Sequence, residues 1–404
     1  MGKSRHMNLD MIRGVVILAI LFININYLST PSIARYNPLV LGDFSLFDQW
    51  VWFFEYSLIK QRFMPILAVM FGVGICLFSQ SYFRRNESPV AAYLKRSVSL
   101  IVIGLAHAYL IWDGDILVAY AICGLFAFFA RNLAVKWLVS LGVVLIITPV
   151  VPDVYRAISE LIAVSSNIND VTTTPDFWAT DLKKVDEMVR AYDGSWLSLT
   201  PARVETALSR QTSDLIYFTL WRCTGLMLIG IALARSGFFE GEGNYQVGLA
   251  IGLGIGLPAS TLSSYFYIQS GFDYQFFTTV LSLCFYVGTL SLAYAYLCLL
   301  VLWGCSDQFL KLKSALAKVG RVALTLYIAQ SLICAFIFYG WGLGLYGKVC
   351  RGELFFITLV ILAIQFIFAQ VWFRRFNSGP LEYLWRLCYR GKPVLKQNEA
   401  ITDS

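Results

Sequence analysis

Apolar residues in this chain gather into long runs separated by short polar breaks. Ten runs approach the ~20 residues that a helix needs to cross a bilayer. They fall at 9–28, 62–79, 95–112, 114–130, 133–151, 214–234, 245–268, 275–303, 319–340 and 353–373. The outer-membrane barrel alternative predicts polar and apolar residues alternating over ~10 positions, and no such alternation is present. The segment 46–60 (LFDQWVWFFEYSLIK) is largely aromatic but carries Asp48, Glu55 and Lys60, which predicts an interfacial or re-entrant helix before the second span. The polar stretch Asp153–Asp214 separates five spans from five. It contains DLKKVDEMVRAY and TPARVETALSR, two short surface helices by pattern, the second with Thr200 as N-cap and Pro201 in its first turn.

Composition agrees with the pattern. The 404 residues are 58% hydrophobic and 14% charged. A soluble domain is about half apolar and a quarter charged. The net charge of +7 sits mostly in short loops and in the C-terminal tail, so it orients the chain in the lipid rather than binding nucleic acid. Arg84, Arg85, Lys95 and Arg96 form one basic loop; Lys311, Lys313, Lys318 and Arg321 form a second; Arg374, Arg375, Arg386, Arg390, Lys392 and Lys396 form the tail. These fall on one side if both termini are cytoplasmic. The expected architecture is therefore an all-α, polytopic integral membrane protein. Residues 1–152 form an N-terminal five-span half, 153–213 an extracytoplasmic loop, 214–374 a C-terminal half and 375–404 a basic cytoplasmic tail. The first run follows Lys3, Arg5 and His6 without a small-residue cleavage site, which reads as a retained helix. The nine cysteines are scattered, mostly in apolar runs, and suggest neither a disulfide framework nor a metal site.

Polar groups inside apolar runs mark the candidate chemistry. GLAHAYLIWDGDILVAYAICG holds His107, Trp112, Asp113 and Asp115, and the chain has only two histidines. Trp112–Asp115 reads as a turn at the outer surface, with His107 about 7–9 Å below it. His107 either bridges helices or acts as a general base oriented by a neighbouring carboxylate. Asp113 and Asp115 are either that orienting pair or a solvated turn with a helix cap. Arg222 lies about 10 Å deep in the sixth span. An arginine so placed costs at least ~2.5 kcal/mol to insert, so it needs an anionic partner. That partner is either a ligand or one of Asp10, Glu55, Asp113 and Asp115. Arg13 lies one turn inside the first span beside Asp10. Asn24, Asn26, Thr325, Tyr327, Gln330 and Ser331 are further polar residues within spans, where such groups commonly tie helices together. The glycines of GLGIGLP have no preceding strand and read as packing positions, not a dinucleotide loop.

Several stretches together resemble the YeiB-like family of bacterial inner-membrane proteins. LDMIRGVVILAILFININ resembles the family's opening Leu-Asp-x-x-Arg-Gly pattern. RFMPILAVMFGVG is similar to its second-span segment, with Arg62 where lysine is more usual. RSVSLIVIGLAHAYLIWDGDILVAYAICG resembles its histidine and Trp-x-Gly-Asp motif. AYDGSWLSLTPARV, WRCTGLMLIGIALARSGFF, VGRVALTLYIAQS and FNSGPLEYLWRLCYRG resemble later signatures, with Leu326 replacing a more usual asparagine.

That family is distantly similar to the transmembrane acyltransferases, which include the heparan glucosaminide N-acetyltransferases and carry a key membrane histidine before their second span. This chain has no histidine there, so His107 would fill the role from another helix. The resemblance implies transfer of an acyl group from cytoplasmic acyl-CoA, such as acetyl-CoA, to an extracytoplasmic glycan or small-molecule acceptor. Its expected catalytic residues are His107, Asp113, Asp115 and Arg222. Arg13, Arg62 and Arg321 would bind the donor, and Asn24, Trp112, Tyr327 and Gln330 would line the acceptor site, with no metal. Two other readings remain: a transporter of a small anion, and a scaffold in which His107 and Arg222 make closed contacts with no cavity between them. The expected partner in every case is the lipid bilayer, and the pattern is compatible with a homo-oligomer.

Overall fold

The computed structural model describes residues 2–42, 44–165, 182–274 and 281–390. Lys392 and Lys396 of the basic tail, and the middle of the 153–213 stretch, lie outside the described residues. Every regular element among the described residues is helical. The helices are α1 (Gly2–Ser29), α2 (Leu46–Phe54), α3 (Phe63–Phe83), α4 (Val90–Leu110), α5 (Leu117–Ala130), α6 (Val135–Ile147), α7 (Val151–Ser165), α8 (Leu182–Tyr192) and α9 (Thr200–Ser209). They continue as α10 (Leu220–Arg235), α11 (Tyr245–Ile251), α12 (Leu257–Gln269), α13 (Ser282–Cys305), α14 (Leu310–Arg321), α15 (Ala323–Phe338), α16 (Arg351–Trp372) and α17 (Pro380–Arg390).

Among the described residues, eight helical segments are long and apolar enough to cross a membrane. The pair α14 and α15 adds a ninth if it counts as one broken span. With α5, a shorter apolar helix, the segments match the ten runs of the sequence. At 1.5 Å per residue α5 is only ~21 Å long, against a ~30 Å hydrocarbon core, because the turn before it uses up the rest of its run. The apolar faces of these helices point outward. Val360, Ile364 and Ile367 on α16 are each more than half exposed, as a lipid-facing stripe requires. The chain is a multi-pass membrane protein.

Several boundaries differ from those read in the sequence. The expected interfacial helix at 46–60 is α2 followed by a wider, π-type turn at Glu55–Ile59. It runs into α3 through a break at Gln61, whose φ of 62° is left-handed. Ser45 caps α2 in a capping box with Asp48. The sixth span begins much earlier than residue 214: Thr200–Arg235 is one continuous helical segment with a π-type stretch at Arg210–Thr219. Thr200 is therefore not an N-cap. It is inside the helix, and its hydroxyl donates to Trp196 O at 3.2 Å. The ninth run is broken at Val322, where α14 and α15 meet at 74°.

The basic loops converge on one end of the bundle, the basic face. Trp385 on α17 donates to Arg96 O (3.1 Å), and Arg321 donates to Asn377 O (2.6 Å). Glu382 accepts from Thr325 N (3.1 Å) and Thr325 Oγ1 (2.6 Å), which seats α17 under α15. Burial pushes the Glu382 carboxyl above its ordinary pKa, and these bonds partly offset the rise. Lys313 is not a surface charge of the second basic loop. It is fully buried and caps the end of α13 by donating to Gly304 O and Ser306 O.

Glycines set the closest helix crossings. A Cβ on Gly320 would lie 1.8 Å from Asp10 O, and one on Gly14 2.1 Å from Leu316 O, so α14 crosses α1 backbone to backbone. Gly72 and Gly230 do the same for α3 and α10, against Met227 O and Val69 O at 2.0 and 2.1 Å. Between helices in lipid, van der Waals packing at small residues carries much of the association energy. Gly320→Ala is expected to destabilise by about 1–3 kcal/mol through overpacking. Gly74→Ala, on the same kind of helix but with nothing within 4 Å, is expected to be neutral or slightly stabilising. Thermal unfolding of the two variants in one detergent checks this, and equal midpoints would contradict the backbone crossing.

Candidate functional site

The chain turns sharply between α4 and α5, and that turn builds one wall of the site. Ile111 N and Trp112 N both donate to His107 O, which closes α4. Gly114 allows the turn to fold back, because a Cβ there would overlap the Trp112 ring at 2.2 Å. Gly104 lets the start of α5 lie against α4, since its Cβ would meet Val118 N at 2.8 Å and Asp115 Oδ2 at 2.9 Å. The consequence is a pairing across the turn. His107 Nδ1 and Asp115 Oδ1 are 2.9 Å apart, with both side chains almost completely buried. Asp115 Oδ2 accepts from Val118 N at 2.9 Å and so caps α5 as well. Tyr327 braces the turn from α15: its hydroxyl accepts from Ile116 N (3.2 Å) and donates to Gly114 O (3.4 Å). Its ring lies 5.0 Å from the imidazole. His107 Nε2 is buried and makes no hydrogen bond among the described residues.

Asp113, two residues from Asp115, faces a different neighbourhood. Its carboxylate receives Tyr192 OH (3.4 Å) from α8 and lies 3.7 Å from Arg210 Nη2. The two aspartates are therefore not an orienting pair for one imidazole. Burial, with Asp113 alongside, holds the Tyr192 hydroxyl well above its ordinary pKa. The roof of this region is fixed by Trp196 Nε1 donating to Leu110 O (2.8 Å) and Arg203 Nε donating to Tyr109 O (2.8 Å).

Arg222 enters from α10. It is 6% exposed, and its guanidinium packs against the rings of Phe218 and Tyr286 at 5.3 and 5.1 Å. Its one hydrogen bond runs from Nη1 to Gln61 Oε1 at 3.3 Å. Nε and Nη2 are buried without a partner. None of the four carboxylates that could have neutralised it does so. Asp10 pairs with Arg13 at 2.7 Å, Glu55 with Arg351 at 3.0 Å, Asp113 with Arg210 and Asp115 with His107.

Arg222 and Asp115 face one cavity of about 240 Å³, whose polar wall includes Asn24, Gln61, Arg210 and Asp214. Trp112 also lines it, whereas His107 does not. Asp115 belongs to the cavity wall and His107 does not; the Asp115 side chain itself is 1% exposed, with one oxygen at His107 and the other at Val118 N.

The other expected residues are distributed as follows. Arg13 and Arg321 lie together at the basic face: Arg13 is paired with Asp10, and Arg321 stacks on Phe373 at 4.3 Å while feeling the Asp10 charge. Arg62 does not join them. The segment 46–83 descends from the distal side, so Arg62 follows Gln61 at the level of Arg222. It is fully buried on Phe285 (4.5 Å) and donates to Ser260 Oγ (2.8 Å) and Lys60 O. Gln330 donates to Ile17 O (3.2 Å) and Gln365 Oε1 (2.8 Å) and ties helices together away from the cavity. Tyr327 is likewise behind the wall. Gln61, Arg210 and Asp214 were not singled out from the sequence. The only signal for Gln61 was its charged neighbours Lys60 and Arg62 at the head of a span. No group of three or more His, Cys, Asp or Glu among the described residues is placed to hold a metal ion.

The fold and site define a polytopic helical membrane protein with a charged cavity in its distal half. Residues 233–392 match the family model "Protein of unknown function (DUF418)". That match covers the end of α10 and α11 to α17, and stops short of His107 and Arg222. The chain is 32% identical to the uncharacterized protein YeiB of Escherichia coli K12 over 95% of this chain and 96% of that one. It is 26% identical to the uncharacterized protein YxaH of Bacillus subtilis 168, over 94% and 92%. It belongs to the YeiB-like family. No solved structure matches it.

The geometry separates the two aspartates energetically. Asp115→Ala removes the partner of a buried imidazole and of a helix-capping N–H, and is expected to cost about 3 kcal/mol. Asp113→Ala breaks only contacts of 3.4 and 3.7 Å and is expected to cost clearly less. Denaturation of both variants in the same detergent tests the order; a larger loss for Asp113→Ala would overturn the assignment.

Proposed function

We propose that the chain is an acyltransferase of the bacterial cytoplasmic membrane, with the basic face inside, and that the cavity holds an acceptor hydroxyl or amine drawn from the distal side. The observation that carries this reading is that Arg222, with two unused N–H donors, shares a cavity with Asp115 of the His107–Asp115 pair. Acyl transfer needs those two elements. The acceptor must lose a proton as it attacks a carbonyl, and the oxygen of that carbonyl must be stabilised as it becomes negative. The His107–Asp115 pair takes the proton, Asp115 joining it to the cavity wall and holding the imidazole in place. Arg222, which no carboxylate pairs among the described residues, stabilises the developing oxyanion. The bond to the donor's leaving group then breaks, and the acceptor keeps the acyl group. Asn24 and Trp112 contribute acceptor contacts on the same wall. The donor is an acyl-CoA, and Arg13 and Arg321 are the basic-face cations for its phosphates.

A second reading is favoured by one observation: neither Arg13 nor Arg321 lines the cavity. On that reading the cavity is the anion site of a transporter, with Arg222 binding the anion and Asp115 carrying a proton.

Purified protein with radiolabelled acetyl-CoA separates the two. Acyl transfer predicts saturable donor binding, weakened in Arg13→Ala but retained in Arg222→Met. It also predicts that release of CoA to an added acceptor falls about 10²–10³-fold in Arg222→Met, the loss typical of removing one oxyanion donor. No donor binding at millimolar concentration, together with Arg222-dependent anion uptake in proteoliposomes, would sink acyl transfer and establish transport.

A further inference from the structure

A second, much smaller cavity of about 30 Å³ lies beyond α1 from the first; Ile23 and Tyr27 line both. Its polar wall is Asn26, Arg35, Glu55, Lys60 and Arg351, so three cations face a single carboxylate. That carboxylate is already engaged, with Glu55 Oε2 accepting from Arg351 Nη1 at 3.0 Å and from Asn26 Nδ2 at 3.4 Å. Arg35 turns Nη2 to the end of α1, donating to Tyr27 O (3.1 Å) and Thr30 O (3.4 Å), while its Nε is buried without a partner. Lys60 Nζ sits 4.2 Å from the Tyr56 ring centre, and none of the hydrogen bonds among the described residues uses it.

Two more carboxylates act on these cations from outside the cavity, and both are committed elsewhere. Asp48 accepts from Gly352 N (2.7 Å) and from Ser45, and Asp113 belongs to Tyr192 and Arg210. The half-buried Lys60 ammonium over a ring face at the cavity wall retains unmet donors, and charges in such surroundings are normally paired. The volume is enough for one or two water-sized species. A space this small suits a monatomic anion better than a phosphate ester.

The geometry points to a binding site for a single monatomic anion, a halide such as chloride, held by Lys60 with Arg35 and Arg351 around it. The ion completes the charge balance at the top of α1 and stands one helix away from the larger cavity. This assignment does not depend on the reaction in that cavity.

The test compares the full chain in detergent, at fixed ionic strength, in sodium chloride, sodium bromide and sodium gluconate, whose anion is too large for the cavity. A saturable rise of the thermal midpoint in chloride and bromide over gluconate, lost in Lys60→Met, is expected. Methionine keeps the length of the side chain over Tyr56 but not its charge. Equal midpoints in all three salts would overturn the site. So would a halide-induced rise that persists in Lys60→Met, since that is a bulk salt effect. Anomalous scattering from bromide-soaked crystals of the wild type provides a readout that does not require the variant to fold. A peak beside Lys60 Nζ supports the site, and bromide peaks confined to the surface overturn it.

Discussion

Charge placed in a low-dielectric interior must be matched, and four carboxylates here each take one basic partner. Asp10 answers Arg13, Glu55 answers Arg351, Asp113 lies by Arg210, and Asp115 holds His107. Each pair joins segments or turns of one helix that the apolar packing alone would leave free to slide. Because these four carboxylates are used up in this way, Arg222 pairs with none of them and keeps a buried guanidinium with two open donors. A structural ion pair would have consumed them. The uncompensated arginine is thus a consequence of how the other pairs are distributed, and it defines the cavity as a place for an anionic or electron-rich group.

The pairs depend in turn on glycine. Gly104 brings Asp115 within reach of His107, and Gly72 and Gly230 let α10 settle on α3, which sets Arg222 opposite Gln61. Gln61 itself adopts a left-handed backbone at the break between the π-type turn and α3. That break turns its amide into the cavity rather than along the helix. Polar chemistry and helix packing are therefore one arrangement: widening a glycine crossing would move a charged group as well as a backbone.

Much of the architecture was legible in the sequence, because a run of apolar residues has no other stable use than a buried or lipid-facing helix. The boundaries were less so. Residues 200–210 are polar enough to read as a separate short surface helix, yet they form the upper turns of one helix with α10, held by Trp196 and Arg203 against the end of α4. Nothing local announces the 74° break at Val322; it arises because α14 lies across α1 at Gly14 and Gly320. For the site, His107, Asp115, Arg222, Asn24 and Trp112 could be picked out as polar groups in apolar surroundings. Their pairing could not. Asp113 and Asp115 are two residues apart and look equivalent in sequence, but a tight turn sends one to α8 and the other to α4. Arg62 looked like a donor cation beside Arg13 until the descent of the 46–83 segment placed it near Arg222.

The position of the cavity narrows what any ligand can be. Its charged wall combines Arg222 and Arg210 with Asp115 and Asp214, so both signs are present within one space of about 240 Å³. Strong binding of a simple dianion would bring it against two carboxylates. A group that starts neutral or singly charged and develops negative charge next to Arg222, while giving up a proton towards Asp115, meets no such opposition. That asymmetry between ground state and developing charge is what a catalytic site requires, because only interactions stronger in the transition state raise the rate. Asp115 is the member of the His107–Asp115 pair that belongs to the cavity wall, so it links the buried imidazole to that space.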